Sequence, residues 1–362
     1  MLERRGGKVS SRLKTIIDPT RERNLLLNSS FQVAQRGAGP HTNAAASATN
    51  AVNNDDAYIL DQWVFLADGA DTCDISKDTT DLPSAAGAGA CIALDVETAN
   101  RKFGIIQFLE NENTIPLRGQ KLSLSFYAKV TGTSISNIRA AVLAWDGTAN
   151  TITSDVVSAW NASGSNPTLV GNWTAENTAS NLSVSSSWTL FEIEDISFDT
   201  SGANNLAVFI WTDDTDATTG DILRITCVKL EIGSVCTPYV PQNYQTELTR
   251  CQRYFYGFRA LSANRHPIAV GVNDSATDAY VHMKYPTPML KFANVSFSAA
   301  ADFELLDKNG FTALTVITDL SWADTTGTII QTSVGGGFVA GESVILHADD
   351  TQTAYIDVSA EL

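Results

Sequence analysis

Three tryptophans lie in a stretch that is dense in asparagine, serine, threonine and glycine: Trp145, Trp160 and Trp173. An indole ring presents a flat apolar face to the C–H groups of a sugar, while neighbouring amides and carboxylates bond the hydroxyls. The polar surroundings predict loops, so the three rings are candidates for a sugar-binding platform. The alternative is that they plug the ends of a β-sandwich. Three further tryptophans lie within or beside strand patterns and are expected in the core: Trp63, Trp188 and Trp211.

A second candidate site is an acidic turn that contains Asp213, Asp214 and Asp216 and ends at Gly220-Asp221. Carboxylate oxygens are the ligands that a hard cation prefers, so structural calcium is one interpretation. The spacing does not match an EF-hand loop, and an acidic turn is commonly only solvated. No other cofactor is predicted.

Recognisable catalytic motifs are absent from the sequence. The four histidines are scattered, and there is no G-x-S-x-G elbow, H-E-x-x-H, Walker A or dinucleotide fingerprint. Glu192 and Glu194 stand two residues apart on one strand pattern, which is ordinary for a solvated face. Carboxylate pairs of glycosidases are set by the fold and not by spacing in sequence. The prediction is that the protein is not an enzyme.

Charge is distributed unevenly along the chain. Residues 1–23 contain seven basic and three acidic residues, a net of +4, whereas the whole chain carries −16 and the remainder therefore −20. Such a basic arm predicts a docking segment, with these candidate residues: Arg4, Arg5, Lys8, Arg12 and Lys14. The alternative is a leader that only improves solubility. Nucleic acid is not expected as a partner, because the body is acidic and no aromatic residue is interleaved with the basic ones.

The five cysteines are odd in number, widely spaced and without a C-x-x-C pair. This pattern favours small buried hydrophobes in a protein made in a reducing cytoplasm. No stretch is long and apolar enough to span a bilayer, and no apolar segment follows the N-terminal charges. The sequence therefore predicts neither membrane insertion nor a secretory signal.

Short alternating runs separated by polar turns dominate the rest of the chain. In residues 122–130 every second residue is apolar, which is the two-residue period of a half-buried strand. Strands are predicted at 58–66, 90–96, 104–109, 121–130, 138–144, 189–193, 206–211, 222–232, 267–272, 279–284, 295–299, 314–320, 328–333, 343–348 and 354–358. The fold class is therefore all-β, an antiparallel jelly-roll or β-sandwich domain followed by a short helix and a second, smaller β-sandwich domain.

Two prolines in the segment 237–243 mark a boundary between these domains. We predict an arm over residues 1–23, a jelly roll over 24–240, and a helix plus C-terminal β-domain over 241–362. The helix is indicated by apolar residues at helical spacing after the potential cap Asn243: Leu248, Cys251, Phe255 and Phe258.

Four segments, in this order, resemble a family of bacteriophage tail-fibre-like virion surface proteins. The first is Asn28-Ser-Ser-Phe-Gln-Val-Ala-Gln-Arg-Gly37 with Tyr58 and Asp61-Gln-Trp63, where Gln62 replaces a common arginine. The others are residues 121–130, residues 229–255 with Glu247 and Cys251-Gln-Arg-Tyr-Phe255, and residues 285–289 with the terminal 354–362. The resemblance covers residues 24–362 and implies a carbohydrate-binding-module-like jelly roll with a small β-rich C-terminal domain.

This resemblance implies a structural protein on the virion surface that forms a homotrimer. The arm lies outside the resemblance, and its basic charge predicts attachment to other virion proteins. The expected function is that of a tail-fibre or receptor-binding component contacting host-surface glycans. One alternative is a capsid-decorating or head-fibre protein with a stabilising role, and a second is a glycan depolymerase. The position on the virion, the host and the glycan are not implied.

Overall fold

The computed structural model describes residues 24–42 and 53–362, apart from residues 85, 154, 216, 261, 263, 321–323 and 351. The chain is built almost entirely of antiparallel strands, which confirms the predicted all-β class. The first fourteen strands are β1 Ala57–Tyr58, β2 Val64–Ala67, β3 Cys73–Asp78, β4 Cys91–Val96, β5 Phe103–Leu109, β6 Lys121–Thr131, β7 Asn137–Trp145, β8 Val157–Ala159, β9 Thr168–Leu169, β10 Trp173–Ala175, β11 Leu182–Ser183, β12 Thr189–Ser197, β13 Asn205–Thr212 and β14 Ile222–Ile232.

These strands form a sandwich of two main sheets. One sheet has the order β1-β2-β5-β13-β7-β10 with β11 also on β7, and the other has the order β12-β6-β14-β4-β3. Alternation places one face of each strand between the sheets: Leu122, Leu124 and Phe126 of β6 are fully buried. This core draws on residues 26–230.

The seven-stranded sheet of this sandwich is apolar on both faces. Its outer face holds a separate hydrophobic cluster that includes Val64, Ile106, Leu143, Phe209 and Trp211. The segment 146–182, with the small β8–β9 hairpin, covers this face. Every residue of β13 is consequently buried, as in a central layer with packing on two sides.

A second sandwich follows and has its own core, drawn from residues 260–360. A three-stranded sheet of order β15-β24-β18 faces a seven-stranded sheet of order β20-β19-β23-β16-β17-β22-β21. The strands are β15 Phe255–Arg259, β16 His266–Asn273, β17 Asp278–Lys284, β18 Asn294–Phe297, β19 Phe303–Asp307, β20 Gly310–Ala313, β21 Val316–Asp319, β22 Gly327–Ser333, β23 Ser343–Ala348 and β24 Tyr355–Ser359. The predicted division at residue 240 stays a prediction, although the two cores lie on either side of it.

The described residues contain two short α-helices, α1 Asn111–Thr114 and α2 Tyr244–Cys251, and 3₁₀ turns at Ile115–Leu117 and Ala300–Asp302. The Asn243 side chain caps α2 by accepting from the N–H groups of Gln245 and Thr246. Helix α2 ends earlier than its apolar spacing predicts, because Phe255 and Phe258 belong to β15 and pair with β24. Within the described ranges, neither helix is long and apolar enough to cross a membrane.

Many residues of the family-like segments meet at the junction between the two sandwiches. Asn28 donates its backbone N–H to Glu247 at 2.6 Å, and the side chain of Gln35 bonds both Asp61 and the carbonyl of Phe255. The Arg36 guanidinium lies 3.4 Å from the centre of the Phe255 ring and forms an ion pair with Glu361. These side chains therefore fasten the C-terminal residues to the first sandwich.

Glu361 makes this junction sensitive to pH. Burial raises the pKa of Glu361 to about 7 from its ordinary 4.5, with Arg36 opposing the rise and Asp61 adding to it. Since the folded pKa exceeds the unfolded one, the folded protein holds this proton more tightly. The resulting stabilisation is complete below about pH 4.5 and is lost as the pH rises to about 7.

We expect Glu361→Gln to remove this loss, because the amide stays neutral at every pH. Across that pH interval wild type should lose roughly 2–3 kcal/mol relative to the variant, since each unit of pKa shift corresponds to about 1.4 kcal/mol. Urea unfolding of both proteins at several pH values measures the difference. Two stability curves that run parallel through this interval would contradict the prediction.

Candidate functional site

The three candidate tryptophans are buried, with exposed fractions of 6% for Trp145, 9% for Trp160 and 5% for Trp173. Trp145 ends β7 and Trp173 begins β10, so the loop prediction is wrong for both. The two residues are partners in register, and their ring centres lie 5.1 Å apart. Trp160 follows β8 and packs edge-on against Phe209. The rings do not present an open face for a sugar.

The burial of these rings follows from the apolar outer face of the first seven-stranded sheet. Trp145, Trp160 and Trp173 belong to the cluster that covers it. The three rings therefore belong to a layer that packs on the outer face of this sheet. The alternative given by the sequence, that they fill the ends of the sandwich, also placed them in the interior but at a different position. Gly147 is adapted to this packing, since a Cβ there would lie 2.4 Å from the Trp145 ring. Of the tryptophans expected in the core, Trp63 and Trp211 are buried and Trp188 is half-buried.

The described aspartates of the acidic turn form ion pairs and hydrogen bonds within the protein. Asp213 is buried, pairs with Arg139 at 2.8 Å and with Lys102 at 3.8 Å, and accepts from the N–H of Gly164. Asp214 accepts the backbone N–H groups of Ser136 and Asn137. Asp216 lies outside the described residues. Two cations already neutralise Asp213, so the aspartates do not converge on a calcium site. Among the described residues, no three acidic, histidine or cysteine side chains could hold a metal together.

The candidate docking residues Arg4, Arg5, Lys8, Arg12 and Lys14 lie outside the residues that the structure describes. Their proposed role stays a prediction. All five cysteines are free thiols. Four of them are buried, and Cys236 is half-buried; the buried ones are Cys73, Cys91, Cys227 and Cys251. Burial raises the pKa of the Cys251 thiol well above its ordinary value, which suits a packing role.

A cleft of about 460 Å³ lies where the first sandwich meets α2 and the residues that follow it. Its apolar lining comes from the first described residues and from the turn after β5. The lining residues are Leu25, Leu27, Gln107, Phe108, Leu109, Glu110, Glu112, Asn113, Pro116, Leu117, Ile232, Arg250, Arg253 and Tyr254. Its volume falls within the range of sites for small ligands.

Helices α1 and α2, with the residues that flank them, supply polar side chains to the lining of this cleft. Glu110 accepts from Arg253 at 3.1 Å and from the Asn113 side chain at 2.9 Å. Arg250 is held by Glu247 at 3.0 Å. Each wall residue is thus oriented by a partner, as precise recognition requires.

Glu110 affects the pKa values of two neighbouring side chains in the cleft. The bond to Glu110 raises the pKa of Arg253 despite the opposing effect of burial. Burial, reinforced by the charge of Glu110, raises the pKa of the Tyr254 phenol far above its ordinary value. Arg253 and the Asn113 amide each donate to one carboxylate oxygen of Glu110.

Sequence reasoning did not identify this cleft. A signal was present in the polar run Glu110-Asn-Glu-Asn113, which follows the fully buried strand β5 directly. Arg250 and Arg253 lie more than 130 residues further along the chain. Only the packing of α2 against the first sandwich brings the two groups together.

No protein-family model and no curated protein sequence matches the chain. Among solved structures, it is similar to the enzymatically active domain of bacteriophage CBA120 tailspike protein 4, with 16% identity and a TM-score of 0.32. That match covers 48% of this chain and 19% of the tailspike chain.

The chain is also similar to two carbohydrate-binding modules. The first is TmCBM61 in complex with β-1,4-galactotriose, with 13% identity and a TM-score of 0.32 over 58% of this chain and 99% of the other. The second is the CBM22-1 xylan-binding domain of Paenibacillus barcinonensis Xyn10C, with 11% identity and a TM-score of 0.31 over 61% and 100%. Likenesses this remote assign neither a family nor a ligand to the chain.

Proposed function

We propose that this protein is a non-catalytic glycan-binding component of a phage particle surface, a tail-fibre or receptor-binding protein. The observation that carries the proposal is the cleft at the junction. It combines an apolar floor with carboxylate, amide and guanidinium groups at its rim, and glycans require both. The sequence resemblance to virion surface proteins supports the position on a particle, and the basic residues 1–23 would provide attachment to other virion proteins.

The cleft suits a short segment of a polar sugar chain. Leu25, Leu27 and Pro116 offer apolar surface to ring C–H groups, and Glu112, Asn113 and Arg250 can bond hydroxyls. Arg250 and Arg253 are each paired with a carboxylate, so the charges of the lining offset one another and favour an uncharged sugar. The ligand class that this lining fits best is therefore an uncharged segment of a surface polysaccharide of a bacterial host.

The test uses Glu112→Ala and Arg250→Ala, measured for binding to an array of bacterial surface polysaccharides. Each change should weaken binding about tenfold or more, because a hydrogen bond to a charged group contributes roughly 1.5–3 kcal/mol. Melting temperatures should change little for Glu112→Ala, since Glu112 is exposed.

Glu192→Ala is the matched control, since Glu192 is an exposed carboxylate on β12 and outside the cleft lining. It should bind normally. Equal binding by all three variants would remove the cleft from consideration. A steady fall in polysaccharide viscosity during incubation with wild type would instead identify a depolymerase.

A further inference from the structure

The second sandwich carries a row of apolar side chains on the side of its seven-stranded sheet that faces away from the core. The register aligns five apolar residues and one histidine, one from each of six strands: Phe311, Leu306, Ile345, Val270, His282 and Ile329. On the neighbouring row, Val272 is paired with Tyr280, and Tyr280 with Gln331. We call these two rows the outer stripe.

Alternation along each strand shows which way the stripe faces. In β16, Ala269 is 7% exposed and belongs to the core, whereas Val270 is 64% exposed and Val272 is 43% exposed. Phe311 is 44% exposed, while its sheet neighbours Leu305 and Leu346 are fully buried. An antiparallel sheet with one solvated face normally carries polar residues there, so the outer stripe departs from that pattern.

Elsewhere in the same protein, an exposed strand follows the ordinary pattern. Strand β12 of the first sandwich presents Glu192 and Glu194 to solvent. The outer stripe contains no aspartate, glutamate, lysine or arginine, although the chain carries a net charge of −16. At its margin, Arg265 pairs with Glu304 and Lys308 with Glu342, while Asp278 and Lys284 lie at opposite ends of β17 on the same face.

The size of this face is adequate for association. Seven strands spaced about 4.8 Å apart and about six residues long make a face of roughly 600 Å². A standard stable interface covers about 800 Å² on each partner. The outer stripe is the part of this face without charged residues, and a contact of standard size would extend from it over the rest of the sheet.

We propose that copies of this chain associate through the outer stripe. Two copies of a strongly acidic protein repel each other over most of their surfaces, so their contact is favoured where carboxylates are absent or paired. A mostly apolar stripe without charged residues can contact the same stripe of another copy. Three such faces can surround one axis, as in the trimer that the sequence resemblance implies, and two can meet in a dimer. This proposal does not depend on glycan binding.

The test compares the masses of wild type, Val270→Glu and Val235→Glu by light scattering over a range of micromolar concentrations. Val235 is a matched control because it is 61% exposed but lies in the first sandwich. Wild type and Val235→Glu should give a multiple of the chain mass, and Val270→Glu should give the mass of one chain. A glutamate at the stripe would place one unpaired carboxylate per copy in the contact.

Val270→Thr is a second variant in case Val270→Glu does not fold. Threonine keeps the β-branched shape of valine and is favourable in a strand. This variant should fold normally and raise the concentration needed for assembly. Added salt should strengthen assembly of wild type, because screening weakens the repulsion between acidic copies. A wild type that remains a single chain throughout, or a folded Val270→Glu that assembles like wild type, would overturn the proposal.

Discussion

Replacing Asp213 by alanine should lower the free energy of unfolding by about 3–5 kcal/mol, the usual cost of breaking a buried ion pair. The change would leave Arg139 and Lys102 in the interior without a counter-charge, at side-chain exposures of 8% and 0%. Burial already lowers the pKa of Lys102, and Asp213 opposes that effect. Without Asp213, the pKa of this ammonium should therefore fall further. Chemical denaturation measures the loss of stability.

Asp68→Ala provides the control for the Asp213 experiment. Asp68 pairs with Arg101 at 3.9 Å, and both side chains are about half exposed. An exposed pair contributes at most about 1 kcal/mol, so this variant should unfold almost like wild type. Similar losses in both variants would show that burial of the Asp213 cluster has no special effect.

The Asp213 cluster also positions the segment that covers the outer face of the first sandwich. The Lys102 ammonium donates to the carbonyl of Ala162, and Arg139 donates to the side chain of Asn166. The charges thus hold the residues between β8 and β9. Loss of Asp213 should loosen this segment first, which amide hydrogen exchange over residues 156–170 would detect.

Trp173→Ala should also cost about 3–5 kcal/mol of stability, because it opens a large cavity in the cluster on the outer face. The ring contacts both Phe108 and Trp145, with centres 5.7 and 5.1 Å away. Trp173→Phe should cost much less, since the indole N–H has no partner among the described residues. Thermal melting of the two variants tests this order.

Trp188→Ala is the comparison for the Trp173 change. Trp188 is only half-buried and donates to Asp81 at 3.0 Å, so its removal leaves a smaller cavity. We expect a smaller loss than for Trp173→Ala. In Trp173→Ala, glycan binding should fall only in proportion to the unfolded fraction. If Trp173→Ala were as stable as wild type but no longer bound the glycan, the Trp173 ring would have to contact the ligand.

Strands that lie between two turn sequences were predictable from the sequence. The alternation of apolar and polar residues along a strand involves only neighbouring residues. The ranges predicted for Ile222–Ile232 and Ser343–Ala348 agree with β14 and β23 at both ends. The cap of α2 at Asn243 was predictable for the same reason. By contrast, Phe255 and Phe258 have helical spacing, but pairing with β24, about 100 residues away, makes them a strand.

The sequence by itself determined the all-β class, most strand positions, the acidic body and the candidate residue types. Only the tertiary structure decided what those residues do. Trp145, Trp160 and Trp173 are buried because the first seven-stranded sheet is apolar on both faces, which alternation along a single strand cannot reveal. Asp213 meets Arg139 and Lys102, and the cleft joins residues 110–113 to residues 250–254, through contacts between distant segments. Such contacts depend on the packing of sheets and not on the order of residues along the chain.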